Sequence, residues 1–206
     1  MDNDAMDLRM PTPDELRLAY RRDLTESFLP QEMRPPENII DMTERGFYFP
    51  LCLYDGGEII GECFLLAGRP GWVLLDYFCV TRSRRNAGLG GRLLTHLLED
   101  IRARFPDSAL IVETQAPAYA PDPAMAERRL EFYERNGATL TDIEAEVDGV
   151  RYRIVSWATP PRPDAEIQRE YENIYRRAFA SDEYGRRVKL RRVATDRGKE
   201  DGTRWN

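Results

Sequence analysis

The sequence predicts an α/β fold: a mixed, mostly antiparallel sheet flanked by helices, with a helical extension at the C-terminus. Three observations carry that prediction. Two strand-like runs, Phe47 to Tyr54 and Glu58 to Leu66, meet at Asp55-Gly56-Gly57, a strong hairpin signal. An apolar run of strand length, Trp72 to Val80, passes through a glycine-rich turn into a helix marked by Leu89, Leu93, Leu97, Ile101 and Phe105, one every four residues. Two further strand-like runs, Thr139–Glu146 and Val150–Trp157, flank an Asp148-Gly149 turn.

Met6 to Met10 reads as a short first strand. Thr12-Pro13-Asp14-Glu15 then opens a helix, with Thr12 as N-cap, Pro13 at the first position and Glu15 completing a capping box. Leu16, Ala19, Tyr20, Leu24 and Phe28 mark its apolar face, Pro30 and Pro35-Pro36 interrupt it, and a second short helix follows from Glu37 to Arg45. Gly68-Arg69-Pro70-Gly71 turns the hairpin into the Trp72–Val80 strand, which gives an antiparallel meander. After the long helix, Pro106-Asp107-Ser108 is a turn and Ala109 to Thr114 a buried strand, parallel to Trp72–Val80 through a right-handed crossover. Gln115 to Pro123 is a proline-rich loop, in which Tyr119 either lines a pocket or caps the loop. Ala126, Leu130 and Tyr133 give the next helix its face, and Asn136-Gly137 ends it.

Beyond Pro160-Pro161-Arg162-Pro163, the residues Ile167, Tyr171, Ile174, Ala178 and Phe179 form an amphipathic helix. Such a face needs a cover: it packs back on its own domain or joins two subunits in a homodimer, and docking back is favoured. Arg186, Arg187, Lys189, Arg191 and Arg192 form a basic cluster that reads as a solvated tail more readily than as a site for an anionic partner. The expected organisation is a main domain over 1–159, a helical extension over 160–194 and a disordered tail over 195–206.

Composition narrows the function. A chain of 206 residues with 42% hydrophobic and 32% charged residues suits one globular domain with a full core. No apolar run approaches the ~20 residues of a membrane helix. The acidic, polar start Met1-Asp2-Asn3-Asp4 is unlike a secretory signal. Cys52, Cys63 and Cys79 lie in apolar runs without metal-like spacing, as packed, reduced thiols of a cytoplasmic protein do. The one histidine, His96, falls on the polar side of the long helix, so neither a metal site nor a histidine-based triad is expected. A net charge of −6 argues against nucleic-acid binding and mildly favours a cationic partner such as an amine.

The glycine turn, Arg85-Asn86-Ala87-Gly88-Leu89-Gly90-Gly91, sits where a strand hands over to a helix N-terminus. There the first backbone N–H groups lack intrahelical partners and the helix dipole adds partial positive charge. Glycine lets the backbone come close to a ligand, so the turn suits an anion. Arg82, Arg84, Arg85 and Arg92 add charge that suits phosphate oxygens, and a pyrophosphate is the expected guest. The bland alternative is a tight turn with a close helix–strand contact. A nucleoside-triphosphate loop and a dinucleotide fingerprint are both excluded, because neither Gly-Lys-Ser/Thr nor Gly-x-Gly-x-x-Gly is present.

Arg85-Asn86-Ala87-Gly88-Leu89-Gly90 resembles Gln/Arg-x-x-Gly-x-Gly/Ala, the acyl-CoA pyrophosphate loop of the GNAT superfamily of N-acetyltransferases. Leu110-Ile111-Val112-Glu113 resembles that family's next strand. Leu130-Glu131-Phe132-Tyr133-Glu134-Arg135-Asn136-Gly137-Ala138 resembles its helix carrying Phe-Tyr-x-x-x-Gly-Phe, with Ala138 in place of the last Phe. Ala116-Pro117 stands where a Ser-Asn is frequent. The resemblance implies a GNAT-type fold whose two central strands splay apart around the pantetheine arm. It implies acetyl-CoA as cofactor, held by Phe78, Cys79 and Val80 on the strand and by Arg85, Asn86, Ala87, Gly88, Leu89, Gly90, Gly91 and Arg92 on the turn. It also places the two N-terminal helices beside the acceptor, so that Phe28, Met33 and Arg34 either touch substrate or only pack.

Amide formation from a thioester needs a deprotonated amine, a polarised carbonyl and a proton for the departing thiolate. The resemblance implies direct attack in a ternary complex, with a backbone N–H near Cys79 or Val80 polarising the carbonyl. An alkyl ammonium has a pKa of about 10, so a base must take one proton, usually through water. Asp76 and Glu113 are the two candidates, each an acidic residue inside an apolar strand. Asp76 shares a strand face with Phe78 and Val80. Tyr133 aligns with the tyrosine that protonates the thiolate in this family. Cys79 reads as a structural cysteine, with nothing near it in sequence to lower its pKa. The expected function is therefore transfer of an acetyl group to a primary amine, on a small molecule or a protein. The rival is a non-catalytic acyl-CoA-binding or interaction module on the same fold, which would keep the glycine loop and lose the acid and base.

Overall fold

A computed structural model describes residues 7–179 and 181–193; the acidic first residues and the expected tail over 195–206 lie outside this range. Its strands are β1 (Asp7–Arg9), β2 (Tyr48–Asp55), β3 (Glu58–Ala67), β4 (Trp72–Val80), β5 (Ser108–Gln115), β6 (Thr139–Val147), β7 (Val150–Thr159) and β8 (Val188–Arg192). Its α-helices are α1 (Pro13–Ala19), α2 (Thr25–Ser27), α3 (Pro36–Glu44), α4 (Leu89–Arg104), α5 (Pro123–Arg135), α6 (Asp164–Ala178) and α7 (Ser181–Arg187). The strands run in the order β1-β2-β3-β4-β5-β7-β6-β8, a mixed sheet flanked by helices. The chain divides into two units, with the boundaries after Ala67, inside β4 between Leu74 and Leu75, and inside α4 between Asp100 and Ile101.

The first unit covers 7–67 and 75–100 of the described chain. Thr12 accepts from the Glu15 N–H while Glu15 accepts from the Thr12 N–H at 2.7 Å, the capping box that the sequence predicts. The helix does not run on as a regular α-helix: Tyr20–Leu24 is a π-helical turn before α2. Its extra residue turns Asp23 inward beside Leu24, and both are buried. β2 pairs antiparallel with β1 and with β3, whose turn has Gly56 and Gly57 at φ of 56° and 86°. Positive φ at both central residues marks a type I′ turn, whose twist matches the two strands so that they close tightly without splaying. Tyr48, Phe64 and Tyr77 pack edge to face at 6.0–6.3 Å, and Phe28 adds to Tyr77 at 5.0 Å. Leu93, Leu94 and Leu97 of α4 are wholly buried, each worth about 1.5–3 kcal/mol in area removed from water. Gly61 of β3 makes that approach possible, since a Cβ there would lie 3.2 Å from both Leu93 and the Cys79 carbonyl.

The second unit covers 68–74 and 101–193. β5 pairs antiparallel with β7, β7 with β6 and β6 with β8. Asp122 caps α5, whose buried residues are Ala126, Leu130 and Tyr133, the face read from the sequence. Phe105 departs from the predicted stripe: α4 ends at Arg104, the four-residue repeat lapses there, and the ring is 41% exposed. α6 packs back on its own unit. Ile167, Tyr171, Ile174 and Tyr175 are buried, Ile174 lies against Gly68, and Arg69 pairs with Glu166 at 2.7 Å and Glu170 at 3.2 Å. The basic cluster is not a free tail. Lys189, Arg191 and Arg192 lie on β8 and pair with Glu146, Glu144 and Asp142 of β6, while Arg187 pairs with Asp148.

Candidate active site

β4 alternates as a half-buried strand does: Leu75, Tyr77 and Cys79 point to the buried side, and Asp76, Phe78 and Val80 share the other face. A short 3₁₀ turn, Arg82–Arg84, leads from its end into the glycine turn. Asn86 and Gly88 take φ of 64° and 74°, and α4 begins at Leu89. Leu89 is buried and anchors the helix start, whereas Arg85, Asn86, Ala87, Gly88 and Arg92 are exposed and Gly90 and Gly91 half-buried. The Arg92 N–H bonds the Gly88 carbonyl, so the N–H groups of Leu89, Gly90 and Gly91 belong to the first turn, where a helix supplies no acceptors. A Cβ on Gly88 would meet nothing within 4 Å. The turn thus presents backbone donors and a helix N-terminus to open space, an arrangement that suits a phosphate.

Arg85 is fastened back onto the fold. Its Nε donates to the Val80 carbonyl at 2.9 Å and a terminal nitrogen donates to Ser27 Oγ at 3.0 Å. Arg82 pairs with Glu26 at 2.6 Å and Arg84 with Asp55 at 3.0 Å. The basic residues are therefore part of a charge lattice in which α2 and the β2–β3 hairpin set their positions. Ser27, which sequence reasoning passed over, links α2 to the turn.

Asp76 is committed to two partners through one oxygen. Tyr48 donates its hydroxyl to Oδ2 at 2.6 Å and Arg34 its Nε at 3.0 Å, with the Asp76 and Arg34 side chains only 8% and 14% exposed. Tyr77 brings Arg34 in: its hydroxyl accepts from the Arg34 backbone N–H at 2.7 Å and donates to the Glu32 carbonyl at 2.9 Å. On the buried side, the Cys79 thiol donates to Glu62 Oε2 at 3.0 Å. Burial pushes the Cys79 thiol up, and the neighbouring Glu62 carboxyl pushes it further. Cys79 is accordingly a poor nucleophile, and its place in the strand is structural.

The second unit holds Glu113 and Tyr133. Tyr133 is buried on α5, its ring edge to face with Phe132 at 5.3 Å and with Trp157 at 5.9 Å. Trp157 is itself set by a 2.9 Å bond from its indole N–H to the Asn136 carbonyl at the end of α5. Glu113 Oε1 accepts hydroxyl donors from Tyr171 and, at 2.8 Å, Tyr175 of α6. Sequence reasoning placed Tyr171 on the apolar face of this helix, passed over Tyr175, and tied neither to Glu113. The available signal was a helix stripe that uses phenols where leucines would bury more cheaply, since a buried phenol needs an acceptor. Tyr119 is 39% exposed at its loop, with the Arg151 guanidinium 4.2 Å from its ring centre. His96 is exposed on α4, 4.0 Å from Glu99. Among the described residues no cluster of His, Cys, Asp and Glu could hold a metal ion, and no helix is long and apolar enough to cross a membrane.

Comparison with known proteins places these elements in a family. The model of the acetyltransferase (GNAT) family matches residues 14–138, which include β4, the glycine turn, β5 and α5. A GNAT-family protein from Bacteroides thetaiotaomicron is 25% identical, with a TM-score of 0.61, over 80% of this chain and 92% of that one. A GNAT-family protein from Desulfovibrio desulfuricans is 23% identical, with a TM-score of 0.57, over 75% and 99%. An aminoglycoside 6'-N-acetyltransferase solved with coenzyme A is 17% identical, with a TM-score of 0.55, over 77% and 100%, and shares the fold. No curated protein matches the chain.

Proposed function

The chain belongs to the acetyltransferase (GNAT) family, and from that premise we propose that it moves an acetyl group from acetyl-CoA to a primary amine by direct attack in a ternary complex. One observation carries the cofactor assignment: the turn at Gly88, inside the matched region, combines positive φ, open space and the first N–H groups of α4. In this reading Arg85 to Arg92 hold the pyrophosphate, and the backbone at Phe78, Cys79 and Val80 engages the pantetheine arm and the thioester carbonyl. The coenzyme A bound by the aminoglycoside 6'-N-acetyltransferase of the same fold supports the choice of cofactor.

The amine nitrogen attacks the thioester carbonyl carbon, the C–N bond forms, and the C–S bond breaks with its electron pair leaving on sulfur. Tyr133 supplies the proton that the thiolate takes. The proton leaving the amine passes, through water, to a carboxylate, for which Asp76 and Glu113 both stand as candidates. Each is held by hydroxyl donors, and Asp76 by a guanidinium as well, so neither is a mobile surface group. The net charge of −6 favours a cationic acceptor such as a polyamine, an aminoglycoside, an amino acid or a protein N-terminus. Residues 1–159 form the acetyltransferase domain proper and 160–194 its extension. Three free, buried thiols suit the reducing cytoplasm.

The test is calorimetric titration with acetyl-CoA against ATP and NAD, followed by incubation with pooled amines while free thiol is followed. Selective acetyl-CoA binding with thiol release on an amine is the expected result. Binding without release on any amine would favour a non-catalytic acyl-CoA module, and no acetyl-CoA binding would overturn the reading.

A further inference from the structure

α6 lies beyond the region that defines the family, yet it reaches one of the candidate catalytic carboxylates. Tyr171 and Tyr175 stand one helical turn apart, so their side chains share a face. Both rings are buried, 4.9 Å apart, and both hydroxyls converge on the same oxygen, Oε1 of Glu113 in β5. Covering the sheet would need only apolar side chains at these positions. A buried hydroxyl without an acceptor is costly, and a strand glutamate without donors is costlier still, so the three groups are a matched set. Burial and the adjoining Glu113 push the Tyr171 phenol well up, which keeps it a donor.

The helix itself is held from outside the trio. Arg69 pairs with Glu166 and Glu170, and Ile174 sits where a Cβ on Gly68 would come within 2.9 Å. A small displacement of α6 is therefore resisted at its first two turns and at the residue beside the tyrosines.

We propose that Tyr171 and Tyr175 are positioning residues for Glu113, so that the C-terminal extension takes part in the reaction by fixing the rotamer of this carboxylate. The inference rests on the reading of Glu113 as a proton acceptor in the acetyl transfer. A carboxylate fixed by two convergent donors meets its water in one geometry, whereas a carboxylate free to rotate samples several, and misplacement by about 1 Å can cost about 100-fold in rate. Removing the hydroxyls should then act on turnover and leave cofactor binding alone.

The experiment compares the full chain with Tyr171→Phe, Tyr175→Phe, the double Phe variant, Glu113→Gln and the triple variant. Each is measured for kcat and for the acetyl-CoA KM with whichever amine of a pooled set (spermidine, an aminoglycoside, lysine, an alanine-starting peptide) releases thiol fastest. Phe keeps the rings that pack α6, and thermal unfolding checks that each variant is folded. The expected result is a kcat lowered about 10- to 100-fold in the double Phe variant, an acetyl-CoA KM within about twofold, and no further loss when the same changes are made in Glu113→Gln. A lower unfolding temperature with wild-type kcat in the double Phe variant, while Glu113→Gln is impaired, would overturn the positioning role and leave the Glu113 reading standing. Full additivity of the losses would overturn it too, since the tyrosines would then act independently of Glu113. Wild-type kcat in Glu113→Gln would instead overturn the reading of Glu113 itself.

Discussion

The Cys79 thiol donates to Glu62 across 3.0 Å, at a glutamate that is wholly shielded from water. The other oxygen of Glu62 finds no donor among the described residues, and the Asp23 side chain adjoins it. A neutral carboxyl that donates toward Asp23 satisfies both facts. Burial first, then Asp23, push the Glu62 pKa up to about 9. Arg22 on the π-helical turn, Cys52 opposite on β2, Cys63 next along β3 and Cys79 on β4 are other titratable groups around it. Because the folded value lies above the unfolded one, the native state holds a proton that the unfolded chain releases. This contribution is complete below the ordinary value of 4.5 and is lost as pH rises toward about 9. Glu62→Gln keeps the shape and removes the proton linkage. Between pH 6 and pH 8 the natural chain should lose about 1–3 kcal/mol more than this variant. Urea unfolding at both pH values checks this, and parallel slopes for the two proteins would place the proton elsewhere.

Gly88 carries the cofactor assignment, and a charge placed there addresses it directly. A Cβ there would meet nothing within 4 Å, so the backbone leaves room for Gly88→Glu to start a side chain at the helix N-terminus. The positive φ of 74° costs about 1 kcal/mol with any L residue, and the fold should survive that. Acetyl-CoA affinity should fall at least about 100-fold, or about 2.7 kcal/mol, through bulk and like charge at the pyrophosphate. Calorimetry showing affinity within a few fold of the natural chain would defeat the assignment.

Tyr133→Phe separates proton donation from packing. The ring would keep its edge-to-face contacts with Phe132 and Trp157, so stability should change by less than about 1 kcal/mol. Turnover on the true acceptor should fall about 100-fold or more, as for the loss of a general acid, with acetyl-CoA affinity nearly unchanged. Turnover equal to that of the natural chain would remove Tyr133 from the mechanism.

What the sequence disclosed was local. The capping box of Thr12 and Glu15, the Gly56-Gly57 hairpin, the glycine turn and the Ala126–Leu130–Tyr133 face are each set by residues within a turn or two of one another. Asp76 and Glu113 stood out as acids in apolar strands, but their partners did not. Tyr48 and Arg34 lie 28 and 42 residues from Asp76, and Tyr171 and Tyr175 lie 58 and 62 from Glu113. No spacing rule reaches that far, because such pairs follow from how strands and helices dock. The π-helical turn escaped for a related reason: its signal is a buried Asp23 whose partners, Arg22 apart, are Glu62 on β3 and Thr81 just past the end of β4. β8 was hidden by its own charge. Val188 and Leu190 are buried and Lys189 is exposed, a period-two pattern too short to stand out in a run of cations.

That strand yields a prediction about which of its cations matters. Arg191 and Glu144 face each other in the β6–β8 register, and Arg191 donates to Glu144 Oε1 at 2.7 and 3.1 Å. Their side chains are only 13% and 6% exposed, so the pair is largely withdrawn from water. Removing one partner of such a pair strands the other charge, which typically costs about 3–5 kcal/mol, whereas removing one partner of an exposed pair costs less than about 1 kcal/mol. Arg186 offers the control, since it pairs with Asp182 at 3.2 Å with both side chains more than 70% exposed. Arg191→Ala should therefore destabilise the chain by about 3 kcal/mol in urea unfolding, and Arg186→Ala by less than about 0.5 kcal/mol. Arg191→Lys should recover only part of the loss, because an ammonium cannot present two nitrogens to one carboxylate oxygen. Equal, small effects of the two alanine changes would show that β8 is held by its backbone ladder and by Val188 and Leu190, with its charges contributing little.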